Sequence, residues 1–271
     1  MKIFKNKDQL RREIGNKKTI SFVPTMGGLH KGHISLIKTA KKYTNATLVS
    51  IYVNPKQFNK KEDYKKYPVN LAKDLKILKK LKVNYLYLPT YKDLFKFKPS
   101  HRVYLHKFEK KLCGKYRKGH FKGVLDVVNR FLEIVRPKYL FLGLKDFQQL
   151  ILIHEHILKN KIVTKITSCK TVREPSGVAC SSRNFNLNKN QMKIAKDVFN
   201  YLIKIKKKTK KNLKLFDSTL FKKDLIKIGV NKIDYLEIIN RKTLKKPKKS
   251  NENFNIFIAY YLNKVRLIDN I

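Results

Sequence analysis

Between residues 18 and 160, four apolar runs alternate with four amphipathic stretches, and this alternation constrains the fold more than any other feature of the chain. "KTISFVPT", "ATLVSIYVNP", "VNYLYLPT" and "KYLFLGLKD" read as buried strands ending in turn-forming or polar residues. "HISLIKTAKKY", "NLAKDLKILKKL", "GVLDVVNRFLEIVRP" and "FQQLILIHEHILKN" read as helices, the first with Ile34, Ile37 and Ala40 on one face. Strands alternating with helices at crossover spacing predict a doubly wound parallel α/β sheet. Such sheets bind ligands at the carboxyl ends of their strands. After "TVREPSGVACSSRN" the pattern changes. One long basic helix, "NKNQMKIAKDVFNYLIKIKKK", precedes three strand-like runs, "VNKIDYLEIIN", "NFNIFIAYYL" and "VRLIDNI". The expected division is an α/β domain over 1–169 and a smaller α+β domain over 170–271, with no internal repeat.

The formal charge of +45 invites a nucleic-acid reading. The lysines, however, run from "NKDQLRR" to "KKPKK" without a recognition module. A composition also rich in Asn, Ile and Tyr points to compositional drift with lysine at solvated positions, and leaves at most non-specific nucleic-acid binding. Cys113, Cys169 and Cys180 have no metal-binding spacing, and an odd number fits no disulfide framework. The first residues, "MKIFKNKDQL", lack a signal-peptide core, and no apolar stretch is long enough to span a membrane. A cytoplasmic location is expected.

The chemistry concentrates in "PTMGGLHKGH", residues 24–33, between the first apolar run and the first helix. Gly27, Gly28 and Gly32 would let the backbone approach a bulky anion. The amides and dipole at the start of the next helix would favour phosphate. His30 and His33 could donate hydrogen bonds or a proton where charge develops. The pattern is neither a P-loop nor a dinucleotide fingerprint. It reads as a cradle for a nucleoside triphosphate.

The His-Lys-Gly-His stretch resembles the signature of the nucleotidyl-transferring superfamily. "FVPTMGGLHKGHISLI", "IYVNPKQFN", "KYPVNLAKDL", "RKGHFKGVLDVVNRFLEIVRP", "FLGLKDFQQL", "TVREPSGVACSSRNFNL" and "VRLIDN" fall in the order seen in the pantoate–β-alanine ligase family. The resemblance implies a Rossmann-like catalytic domain, while the two-domain layout and the hinge-like "REPSG" lead to the expectation that the smaller C-terminal domain is a lid that closes over the site. The resemblance also implies a homodimer formed through the N-terminal domain. The implied reaction makes pantoyl adenylate from pantoate and ATP, with Mg²⁺ accompanying the triphosphate, and then passes the pantoyl group to β-alanine.

Carried over by this resemblance, Met26, Gly27, Gly28, Leu29, His30, Lys31, Gly32 and His33 line the ATP site. His33 is the proton donor, His30 contacts the phosphates, and Lys145 is a point charge on the triphosphate. Gly143, Leu144 and Asp146 flank that lysine, and Val172 meets the adenine through its backbone. Ser181, Ser182 and Arg183 suit a leaving pyrophosphate. Cys180 precedes them as a small filler and not a nucleophile. Gln57 and Gln149 grip pantoate, while Gln148 points elsewhere. Arg117, with His120, shapes the β-alanine and pyrophosphate side, and Asp74 is the expected Mg²⁺ contact. The family usually has Glu, Pro and Met or Leu where this chain has Leu144, Lys118 and Cys180.

Overall fold

The computed structural model describes residues 1–15, 19–59 and 61–271, so Lys18, at the start of the first expected strand, lies outside the described residues. Its strands are β1 (Lys2–Phe4), β2 (Ile20–Thr25), β3 (Ala46–Ile51), β4 (Tyr85–Tyr87), β5 (Tyr139–Gly143), β6 (Lys165–Cys169), β7 (Lys232–Asn240), β8 (Phe254–Leu262) and β9 (Val265–Asn270). The helices are α1 (Lys7–Ile14), α2 (Lys31–Ala40), α3 (Lys61–Lys65), α4 (Leu71–Lys80), α5 (Tyr91–Phe95), α6 (Leu112–Tyr116), α7 (His120–Val135), α8 (Phe147–Lys159), α9 (Lys189–Lys211) and α10 (Ser218–Lys227), with short 3₁₀ turns between some of them.

Two compact units emerge. The first comprises residues 1–110 and 117–172, and the second residues 111–116 and 173–271. The first holds a six-stranded sheet in the order β1-β4-β3-β2-β5-β6, and all its neighbouring pairs are parallel. This is the expected doubly wound sheet. Val23, Val49, Leu86 and Phe141 pack with Ile37, Ala40 and Leu78 from α2 and α4 in one of its cores. Chain order reverses between β2 and β5, and a ligand crevice opens at such a switch point. The segments leaving the carboxyl ends of those two strands are Met26–His33 and Leu144–Asp146.

The second unit is α+β. Its antiparallel sheet, β7-β8-β9, carries Leu236, Ile256, Ile258 and Leu267 against Ala195, Val198, Leu202 and Ile205 of α9 and Phe221 and Leu225 of α10. Residues 111–116 join this unit because Cys113 Sγ lies 3.1 Å from the Tyr235 hydroxyl and the Tyr116 ring lies against that of Tyr235.

In the first unit, residues 100–104 are strapped across α7 and α8. His156 is fully buried, and its Nδ1 accepts from the Tyr104 amide at 3.2 Å. The proton therefore sits on Nε2, which donates to Asn129 Oδ1 at 3.0 Å. The Asn129 amide donates in turn to the His101 carbonyl at 2.7 Å. Burial first, and His101 second, push the His156 pKa down to about 4 against an opposing pull from Glu133. As pH falls from 6.5 to about 4, the unfolded chain takes up a proton at this histidine that the folded chain refuses. Stability is expected to fall across that window by roughly 3–4 kcal/mol, at about 1.4 kcal/mol per unit. Urea melts at pH 7 and pH 5 should show the decline, and His156→Gln should remove it.

Candidate active site

Thr25 ends β2 with its hydroxyl donating to the Ser50 carbonyl at 2.8 Å and accepting from the Gly27 amide at 3.3 Å. The chain then turns through two left-handed residues, Gly27 (φ 80°) and Gly28 (φ 61°). Glycine is the residue that adopts this conformation without steric cost. A Cβ on Gly27 would also sit 3.0 Å from Asp74 Oδ2 and 3.2 Å from Ile51 Cγ2. Asp74, in the first turn of α4, is 1% exposed. Its two oxygens accept from the amides of Gly28 at 2.9 Å and Leu29 at 2.8 Å. Asp74, the expected Mg²⁺ contact, thus engages both carboxylate oxygens with backbone amides and anchors the loop. Among the described residues no group of three or more His, Cys, Asp or Glu side chains could hold a metal.

Leu29 turns its side chain into the core, leaving only its backbone near the loop surface. His30 is the N-cap of α2, and its Nδ1 accepts from the Gly32 amide at 3.0 Å. His33 Nδ1 accepts from the His30 amide at 3.4 Å, completing a capping box built from two imidazoles. Their ring centroids are 4.1 Å apart. With Nδ1 accepting in both, the neutral rings carry their protons on Nε2. Burial, followed by His30 and Lys145, holds the His33 pKa well below the usual histidine range. His33 is therefore a neutral hydrogen-bond donor at pH 7, not an imidazolium.

β3 leads into the second cluster. Asn54 is 1% exposed, its carbonyl oxygen accepting from the Lys56 amide at 3.2 Å and its NH₂ donating to the Gly123 carbonyl at 2.9 Å. The turn it caps presents Gln57, whose side-chain NH₂ donates to Met26 Sδ at 2.9 Å. That contact brings the Gln57 turn to the two-histidine loop. The Gln57 carbonyl accepts from His120 Nδ1 at 2.7 Å and from the Arg117 guanidinium at 3.2 Å, while Arg117 also donates to His120 Nε2 at 3.0 Å. Arg117, expected on the substrate side, is thus tied to the main chain of Gln57. Gly123 fits tightly beneath this turn, since a Cβ there would lie 2.4 Å from the Lys56 carbonyl oxygen.

At the end of β5, a Cβ on Gly143 would meet nothing within 4 Å. Lys145 Nζ lies 3.6 Å from Asp146 Oδ1, and its charge acts on His33 across the switch point. Gln148 donates to the Phe108 carbonyl at 2.8 Å, as the expectation that it points elsewhere requires. Gln149 is half-buried beside it in the first turn of α8.

Taken alone, the second unit arranges residues 173–186 as a tied turn. Arg173 pairs with both oxygens of Asp269, at 2.6 and 3.0 Å, donates to the Gly177 carbonyl, and lies over the Phe199 ring. The "REPSG" stretch expected to be a hinge is therefore pinned within this unit. Ser181 accepts from the Arg183 amide at 3.3 Å, capping the turn Ser182–Asn186 in which Ser182 is buried. Cys180 is 3% exposed and points its thiol at Glu174 Oε1, 3.2 Å away, which suits a filler. Val172, the last residue of the first unit, is half-buried.

A Rossmann-like sheet with paired histidines at a helix start beyond β2 fits the class that the His-Lys-Gly-His stretch resembles, the nucleotidyl-transferring α/β enzymes. The family model described as pantoate-beta-alanine ligase matches residues 2–271. The pantothenate synthetase of Flavobacterium psychrophilum is 38% identical over 98% of this chain and 95% of its own. That of Thermosipho africanus is 38% identical over 100% and 98%. The crystal structure of pantoate-beta-alanine ligase from Francisella tularensis, complexed with beta-gamma ATP and beta-alanine, is 37% identical with a TM-score of 0.83, covering 100% of this chain and 97% of that one. Pantothenate synthetase from Thermus thermophilus gives a TM-score of 0.91 at 28% identity, covering 100% and 99%. The chain belongs to the pantoate–β-alanine ligase family.

Proposed function

We propose that this chain condenses pantoate with β-alanine at the expense of ATP, the reaction of its family. The pantoate carboxylate attacks the α-phosphorus and pyrophosphate leaves. The β-alanine amine then attacks the acyl carbon of the adenylate, and AMP leaves. The observation that carries this reading is the paired capping of His30 and His33. Each Nδ1 accepts from a backbone amide, so the hydrogen each ring can offer to developing phosphoryl charge is the one on Nε2. Lys145 supplies a fixed positive charge nearby, and Gln57 and Gln149 are proposed to hold pantoate. Arg117 and His120 act by holding the Gln57 turn. Ser181, Ser182 and Arg183 of the second unit, with Val172 and the backbone at Cys180, are proposed nucleotide and pyrophosphate contacts on the strength of the resemblance. The same resemblance supports a homodimer, the two-domain layout supports a lid role for the second unit, and the three cysteines without a disulfide framework support a cytoplasmic enzyme.

Mg²⁺ is proposed to arrive with the triphosphate, which needs few protein carboxylates to carry it. Among the described residues no helix is long and apolar enough to cross a membrane. The test is AMP release from ATP with pantoate and β-alanine supplied together, and with each omitted. AMP that requires both is expected. A folded protein that releases none under any of these conditions would overturn the reading.

A further inference from the structure

We propose that Asp74 is a positioning residue for the nucleotide. It fixes the backbone of Gly28 and Leu29 from the interior, so that the imidazoles of His30 and His33, and not the amides of those two residues, face the anion. The proposal rests on the reading that this loop receives the triphosphate. In an anion nest, successive main-chain amides point together at the ligand. Here the Gly27 amide is taken by Thr25, those of Gly28 and Leu29 by Asp74, that of His30 by His33 and that of Gly32 by His30. Five amides of the glycine-rich stretch are thus engaged inside the protein. A carboxylate 1% exposed has lost its water, and two short amide bonds compensate it only in this loop conformation. The arrangement explains the glycines. Their left-handed turn aims consecutive amides at one carboxylate, and the missing side chain at Gly27 leaves Asp74 room to reach them. It also bears on the histidines, since a loop with five of its amides engaged inside the protein draws on side-chain donors for phosphate.

The test is Asp74→Asn, which keeps the shape but sets an NH₂ against one amide. The expected result is an ATP KM raised by about tenfold or more, the scale of one lost charge-assisted hydrogen bond. The Mg²⁺ concentration for half-maximal rate should stay within about twofold of wild type, because the residue acts through the loop and not through the ion. An unchanged ATP KM would overturn the proposal. So would a shifted Mg²⁺ requirement with ATP KM unchanged, which would mark a metal ligand. Hydrogen exchange in ¹⁵N-labelled wild-type protein gives a second readout that does not depend on the variant folding. The Gly28 and Leu29 amides should be protected before ATP is added, and protection that appears only with ATP and Mg²⁺ would overturn the clamp. A wild-type protein that releases no AMP would sink the functional reading, while the exchange measurement still reports on the clamp.

Discussion

His33→Ala is expected to lower AMP formation by on the order of a hundred- to a thousandfold, the usual loss when one preorganised donor to a developing oxyanion is removed. The size follows from what the ring is held ready to do. Its Nδ1 is fixed by the His30 amide, so its Nε2–H is aimed before substrate arrives. Burial and two nearby basic groups keep the ring neutral, so it donates a hydrogen bond without first having to acquire a proton. Alanine also removes the acceptor for the His30 amide, and part of any loss could then come from a frayed helix start. His33→Asn separates the two effects, because its side-chain oxygen can still accept from His30 while nothing replaces Nε2. The asparagine variant should lose as much rate as the alanine variant and melt closer to wild type. The pH profile supplies an independent check. With a His33 pKa well below 6.5, wild-type kcat should show no His33 titration between pH 6 and 8. A step near pH 6.5 that vanishes in His33→Asn would mean the ring works as an imidazolium, and the neutral-donor account would fail.

How much of this was legible beforehand depends on the range over which each feature is determined. The central strands β2, β3, β4 and β5 and the helices that follow them could be read, because burial on both faces writes itself as local apolar runs. β1 spans three residues, too few to show a period. β6, with "KITSC", alternates too weakly to be recognised at an exposed sheet edge. α10 carries a local signal: Asp217 caps it, and Phe221 and Leu225 stand four apart on its buried face. The motif residues were found, but their partners were not. Asp74 looks like an ordinary first-turn acid, since the amides it holds are 45 and 46 residues away in the chain. The glycines suggested amides offered to phosphate, and only the folded loop reveals that those amides are already used. Neither the tautomers of His30 and His33 nor the attachment of Arg117 to a backbone carbonyl follows from spacing. In each case a close neighbour in the fold decides the role.

Gly123→Ala is expected to damage the pantoate side of the site from a residue that touches no substrate. A methyl there would lie 2.4 Å from the Lys56 oxygen, 2.7 Å from its carbonyl carbon and 3.0 Å from the Gln57 nitrogen. All three are backbone atoms, so no side chain can swing aside. Either α7 retreats or the Asn54–Gln57 turn moves. Both strain the Asn54 bond to the Gly123 carbonyl, the His120 bond to Gln57 and the contact of Gln57 with Met26. Overpacking of this kind costs about 1–3 kcal/mol of stability. A displacement of about 1 Å at a substrate-positioning group costs on the order of a hundredfold in rate. The loss should therefore fall mainly on kcat/KM for pantoate, with ATP binding changed little. Gly143→Ala is the contrasting substitution, because its added methyl meets no protein atom within 4 Å. It should leave the melting temperature unchanged and weaken ATP instead, if the open space beside Gly143 is where the nucleotide lies. Equal losses on both substrates in both variants would show that the two clusters are not separate parts of the site. A Gly123→Ala enzyme with wild-type kcat/KM for pantoate would mean that the Gln57 turn does not position that substrate.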